Sequence, residues 1–184
     1  MWILSWGEGM KKTKALAWCA VMLALALALS YVERWIPLQL IVPLPGIKLG
    51  LANIVMLLAL QLFHTRYAYW ILVPRCVLGA VFGGGLTGLA FSLCGGLLAV
   101  TVMAVCKRVR LFSVYGISVL GAAAHSIGQI LAAMLLMRSV YIGAYLPYLL
   151  MVSTVTGLLT GAACAGVLRL LPGNVLAAAA ELKA

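Results

Sequence analysis

Few residues in this chain could do chemistry. Gly121, His125 and Gln129 are spaced four apart, so a helix there carries them on one face. Lys48 and Asn53 stand close together, Arg75 follows Pro74, and Glu33 shares the chain's carboxylates only with Glu8 and Glu181, because there is no Asp. An imidazole, two amides, two cations and a carboxylate are the means to recognise a small molecule by hydrogen bonds and charge. They are poor means for any reaction that needs Mg²⁺ held by clustered carboxylates. No metal ligand set is expected: His64 and His125 lie in different segments, and no CxxC spacing joins Cys19, Cys76, Cys94, Cys106 and Cys164. Those cysteines all fall in apolar runs and read as buried small hydrophobes. No GxxxxGK[ST] loop is present, so any use of ATP belongs to a partner. No cofactor is expected.

The elements that must position these residues are membrane helices. Of the 184 residues, 66% are hydrophobic and 9% charged, against roughly a quarter charged in soluble domains. A crossing needs about 20 apolar residues. Six runs qualify, at about Ala15–Val32, Ile47–Phe63, Tyr69–Phe82, Leu86–Val105, Phe112–Met137 and Leu146–Leu171. The third is short and meets the fourth at Gly83-Gly84-Gly85. The expected class is all-α: a polytopic six-helix bundle over 15–171, with cytoplasmic segments 1–14 and 172–184.

The net charge of +10 is a topology signal. With the N-terminus inside, nine basic residues (Lys11, Lys12, Lys14, Arg66, Lys107, Arg108, Arg110, Arg169, Lys183) are cytoplasmic. Only Arg34, Lys48 and Arg138 fall outside, with Arg75 inside a span. Both ends are therefore expected in the cytoplasm. No basic face with interleaved aromatics points to nucleic acid. The first run also has the pattern of a signal peptide, with small residues near Ala26-Leu27-Ala28; its removal would leave an odd helix count and spoil the charge bias.

Depths follow from a rise of 1.5 Å per residue: His125 lies roughly 20 Å above Phe112, and Asn53 roughly 9 Å below the outer end of the second helix. The polar residues then gather from mid-depth outward, as in a pocket open to the outer face. The competing reading is a satisfied interhelical network, Gln129 with Asn53 or Arg75 with a backbone carbonyl. The outer segment Glu33–Gly46 holds Pro37, Pro43 and Pro45 among apolar residues and reads as a lid or re-entrant segment. Local basic excess favours an anionic or polar ligand. Small residues at Ala17, Ala20, Ala24 and Ala28, and at Gly157, Gly161 and Ala165, make faces for close helix contact. Internal packing is expected for the second face, and partner docking competes with it for the first.

Pro45-Gly46-Ile-Lys48-Leu-Gly-Leu-Ala-Asn53-Ile-Val resembles the PGxKLGLANIV segment of the Gx transporter family, also labelled heptaprenyl diphosphate synthase component I. Arg75 with Leu78-Gly79, Ser92-Leu-Cys-Gly95-Gly96, Gly121-Ala-Ala-Ala-His125-Ser-Ile-Gly-Gln129, Tyr145-Leu-Pro147, and Thr156-Gly157 with Thr160-Gly161 fit as well. The resemblance covers about 15–171. Ser126 stands where the family usually has Asn. The family is similar to substrate-binding S components of energy-coupling-factor transporters, multi-pass proteins of the bacterial cell (inner) membrane. That implies a small-molecule ligand bound by Glu33, Lys48, Asn53, Arg75, His125 and Gln129. It also implies a membrane coupling subunit docked through the Ala17–Ala28 stripe, and cytosolic ATPases. Two alternatives remain: a non-catalytic membrane subunit linked to heptaprenyl diphosphate and menaquinone synthesis, and a component of flavin- or quinone-linked extracellular electron transfer.

Overall fold

The computed structural model describes residues 2–33, 35, 48, 50–109 and 111–181; the side chains of 2–12, 84 and 181 fall outside that description. Every regular element among them is helical: α1 (Trp2–Glu33), α2 (Asn53–Leu62), α3 (Thr65–Gly79), a π-helical turn (Ala80–Gly84), α4 (Gly85–Val109), α5 (Val114–Met137), a 3₁₀ turn (Val140–Tyr145), α6 (Leu146–Leu170) and α7 (Gly173–Glu181). Four stretches are long and apolar enough to cross a membrane: Thr13–Glu33, Gly85–Val109, Val114–Met137 and Val140–Leu170. This is a membrane-type helical protein.

The remaining runs differ from expectation. The run Ile47–Phe63 yields only the ten-residue α2, about 15 Å of helix. Gly50, at φ +82°, turns the chain before α2 begins, in a left-handed conformation that suits glycine. The third run starts earlier than expected, at Thr65, and α3 has 15 residues with Pro74 inside. Its joint with α4 falls where the Gly83–Gly85 triplet predicts. Gly83 (φ +102°) and Gly85 (φ +63°) take the left-handed backbone that lets the chain leave one helix and enter the next. The segment expected as a cytoplasmic N-terminal stretch is helical from Trp2 onward, as part of α1. The expected tail contains α7, whose Ala179 is buried in the main core. Residues 36–47, most of the expected lid, lie outside the described residues.

Packing is tightest between α4, α5 and α6. A Cβ on Gly128 would lie 2.7 Å from the Cys94 carbonyl oxygen, and one on Gly157 would lie 2.7 Å from Val119 Cα. A Cβ on Gly161 would come within 3.1 Å of Tyr115 Cα. The Gly157/Gly161 face thus serves internal packing, as expected. Ser118 and Thr160 hydroxyls bond across this seam at 2.8 Å. Ser113 caps α5 by accepting from the Gly116 N–H, and Arg138 ends it in a left-handed conformation.

The short α2 is almost wholly enclosed. Its last carbonyls need partners that lipid cannot give, and Lys107 Nζ, from the end of α4, donates to Leu60 O. The first helix packs mainly on α3, burying Ala15, Met22, Ala26, Ser30 and Glu33. The Ala17, Ala20, Ala24 and Ala28 stripe is exposed. The expectation of uniformly buried cysteines is corrected. Cys76, Cys106 and Cys164 are buried, Cys19 is half-buried, and Cys94 is exposed because α4 turns it away from the face that carries Gly95.

Candidate polar binding site

The site is built around Gly50. Its N–H donates to Glu33 Oε1 at 2.5 Å, which ties the end of α1 to the turn before α2. Because Gly50 has no side chain, two neighbours can close in. A Cβ there would meet Asn53 Nδ2 at 2.8 Å and His125 Cδ2 at 3.0 Å. Asn53 opens α2, and its N–H bonds back to Gly50 O at 2.8 Å, so the turn fixes the side chain's starting point.

The fifth helix supplies His125 and Gln129, one turn apart, with Gln129 Nε2 3.1 Å from His125 Nε2. One of two nitrogens must donate, and the amide always can. His125 Nε2 then accepts, which places the imidazole proton on Nδ1. Nδ1 faces α4 at Gly95, where a Cβ would lie 2.9 Å from it and 2.9 Å from the His125 carbonyl oxygen. Gly95 therefore lets α5 approach α4 closely enough to bury the ring. Nδ1 lies against the Gly95 backbone without a hydrogen bond of normal geometry.

The fourth helix also contributes Ser92, whose hydroxyl accepts from Lys48 Nζ at 3.2 Å. The third helix contributes Arg75, buried after the Pro74 interruption, with Nη2 3.9 Å from Cys76 Sγ. The positive charges of Arg75 and Lys48 act on both Glu33 and His125. The structure thus brings all six sequence-predicted residues into one neighbourhood. Glu33, Asn53, Arg75, His125 and Gln129 are buried and Lys48 is half-buried.

The satisfied network considered from sequence does not form. Gln129 pairs with His125, not with Asn53. Asn53 Nδ2 and Oδ1, His125 Nδ1 and Gln129 Oε1 are buried with no hydrogen-bond partner. Each such orphan costs free energy that a packed apolar side chain would not. His125 Nδ1 is packed against Gly95, so Asn53 and Gln129 together offer one donor and two acceptors to a third party.

The match of a family model spans most of the chain. Residues 22–167 fit the model described as heptaprenyl diphosphate synthase component I. The chain belongs to that family. No curated protein and no solved structure matches it. All six polar residues lie inside the family's matched stretch, and Ala17 and Ala20 lie before it.

Gly50, Ser92 and Gly95 are site residues that reasoning from side-chain chemistry passes over. Ser92 and Gly95 are three apart in an apolar run, so the signal was a polar, small face at helical spacing. Among the described residues no group of His, Cys, Asp and Glu is placed to hold a metal.

Proposed function

We propose that the chain is a non-catalytic membrane subunit that binds a small molecule at the cluster of Glu33, Lys48, Asn53, Arg75, His125 and Gln129. The reading places it as an S-component-like uptake subunit in a bacterial cell membrane. It has six crossings and both ends in the cytoplasm, with α2 and the residues before it as one crossing and α3 with its π turn as another. A membrane coupling subunit docks on the exposed Ala17–Ala28 stripe, and cytosolic ATPases drive the cycle. The observation that carries the binding role is the set of four unpaired buried polar atoms on Asn53, His125 and Gln129. Groups that costly inside a bundle are functional by default.

A second reading shares the site but changes the partner. The family description favours a non-catalytic component of a heptaprenyl diphosphate synthase, in which the bundle would hold an isoprenoid substrate or product for a soluble subunit. Affinity purification of the full chain from its own cells separates the two. Capture of a coupling subunit with ATPases supports uptake. Capture of a soluble prenyl synthase supports the second reading. Recovery of neither, together with His125→Ala and Asn53→Ala variants indistinguishable from wild type in the cell, refutes both.

A further inference from the structure

The turn that opens α2 is held partly from outside. Within it, the N–H groups of Asn53, Ile54 and Val55 bond back to the carbonyls of Gly50, Leu51 and Ala52. The N-cap residue of α2 is Ala52, whose side chain can accept no bond. Bonds to two neighbouring helices tie the turn in place. Glu33, at the end of α1, accepts the Gly50 N–H at 2.5 Å, and Ser92 on α4 accepts from Lys48 Nζ at 3.2 Å. The Glu33 bond is the shorter and the more deeply buried. In the apolar interior no water stands ready to replace it.

Gly50 stands between that bond and the polar cluster. Asn53 Nδ2 lies 2.8 Å, and His125 Cδ2 3.0 Å, from where a Cβ on Gly50 would be. A displacement of the Gly50 backbone is therefore felt by both side chains. Glu33 is in turn the last member of the buried face of α1, after Ala15, Met22, Ala26 and Ser30. Its carboxylate is placed by the way α1 seats on the rest of the bundle, mainly on α3. With 3% exposure and Oε1 committed to Gly50, it is poorly placed to meet a ligand.

We infer that Glu33 is a positioning residue and not a ligand contact: through the Gly50 turn it holds Asn53 and His125 in place for binding, so the seat of α1 sets the state of the site. This rests on the binding role proposed above and narrows the part of Glu33 in it. The position then requires a hydrogen-bond acceptor at the reach of this side chain, and charge is secondary. Glu33→Gln keeps the acceptor and loses the charge. Glu33→Asp keeps the charge and falls one methylene short.

The test uses the full chain in phosphatidylcholine nanodiscs, labelled with ¹³C and ¹⁵N at histidine. His64 and His125 are the two histidines, and His64, before α3, lies at the far end of α2 from Gly50. Glu33→Ala and Glu33→Asp should shift the His125 Cδ2 and Nε2 resonances, because the ring's contact with Gly50 changes. Glu33→Gln should leave them at their wild-type positions, and His64 should stay unchanged throughout. Ala26→Leu, about 10 Å along α1 from Glu33, should shift them too, because Ala26 is fully buried and the larger side chain moves the helix. Helical content and elution volume check the fold, and Glu33→Asp decides where Glu33→Ala does not fold. A role confined to stability would lower the unfolding midpoint without moving the His125 signals. That result overturns the inference. So does Glu33→Gln behaving like Glu33→Ala, Glu33→Asp behaving like wild type, or a folded Ala26→Leu with unchanged His125 signals. No ligand is added, so each of these outcomes leaves the binding role standing; that role depends instead on ligand retention and its loss in Asn53→Leu.

Discussion

Replacing Asn53 by leucine should make the empty protein more stable and abolish its binding. The side chain is 5% exposed, and both of its polar atoms lack partners. Leucine keeps the branched outline of four side-chain heavy atoms but is roughly 50 Å³ larger, so tighter packing offsets part of the gain. The α2 start is unaffected, because the Gly50 turn is held by backbone bonds and Asn53 does not cap the helix with its side chain. An unsatisfied buried polar group costs about 1–3 kcal/mol. In a membrane the unfolded chain also finds partners, which trims polar contributions toward roughly 0.6 kcal/mol each. With two orphaned atoms, a gain of about 1–2 kcal/mol is expected, a factor of about 5–30 in the folded-to-unfolded ratio. Steric-trapping or denaturant titration in bicelles measures this directly. The reasoning is refuted if Asn53→Leu and the smaller Asn53→Val both lose more than about 1 kcal/mol of stability, for overpacking cannot explain the second loss and the amide would then belong to a satisfied structural network.

Gly50→Ala should impair the site more than any neighbouring alanine substitution. The new Cβ meets Asn53 and His125 at a positive φ, a conflict of about 1–3 kcal/mol, read as lost ligand retention and a lower unfolding midpoint. Gly128→Ala should cost about 1–3 kcal/mol, since its Cβ strikes the α4 backbone. Gly166→Ala, with open space around it, should gain up to about 1 kcal/mol from helix propensity; unfolding of the two side by side checks both signs. A double-mutant cycle on Ser118→Ala and Thr160→Ala should return a coupling of only about 0.6 kcal/mol, so a value several times larger would mean that the α5–α6 seam depends on that hydroxyl pair.

The apolar runs made the long helices legible, because lipid demands about 20 apolar residues per crossing and little else in a sequence looks like that. The four-residue spacing of His125 and Gln129 made their common face legible too, and the Gly83–Gly85 triplet marked the break between α3 and α4. The start of α2 was not legible: Lys48 to Asn53 continues an apolar run, and only the left-handed backbone at Gly50 reveals a turn. The exposure of Ala17 to Ala28 could not be read either. α1 carries small or apolar residues on every side, so composition does not say which face meets α3. The site's polar side chains were visible as costly residues in apolar surroundings. Gly95, which makes room for His125, was invisible to that reasoning because its contribution is the absence of a side chain.

The central claim is that Asn53 and Gln129, held beside His125, leave hydrogen-bonding groups for a ligand. Native mass spectrometry of the full chain, released from nanodiscs made with its own cells' lipids, tests it most directly. A bound small molecule should appear on the wild type and be lost from Asn53→Leu and Gln129→Leu, while both variants keep their fold. A wild-type spectrum without any adduct, or one and the same adduct on all three proteins, would contradict the account.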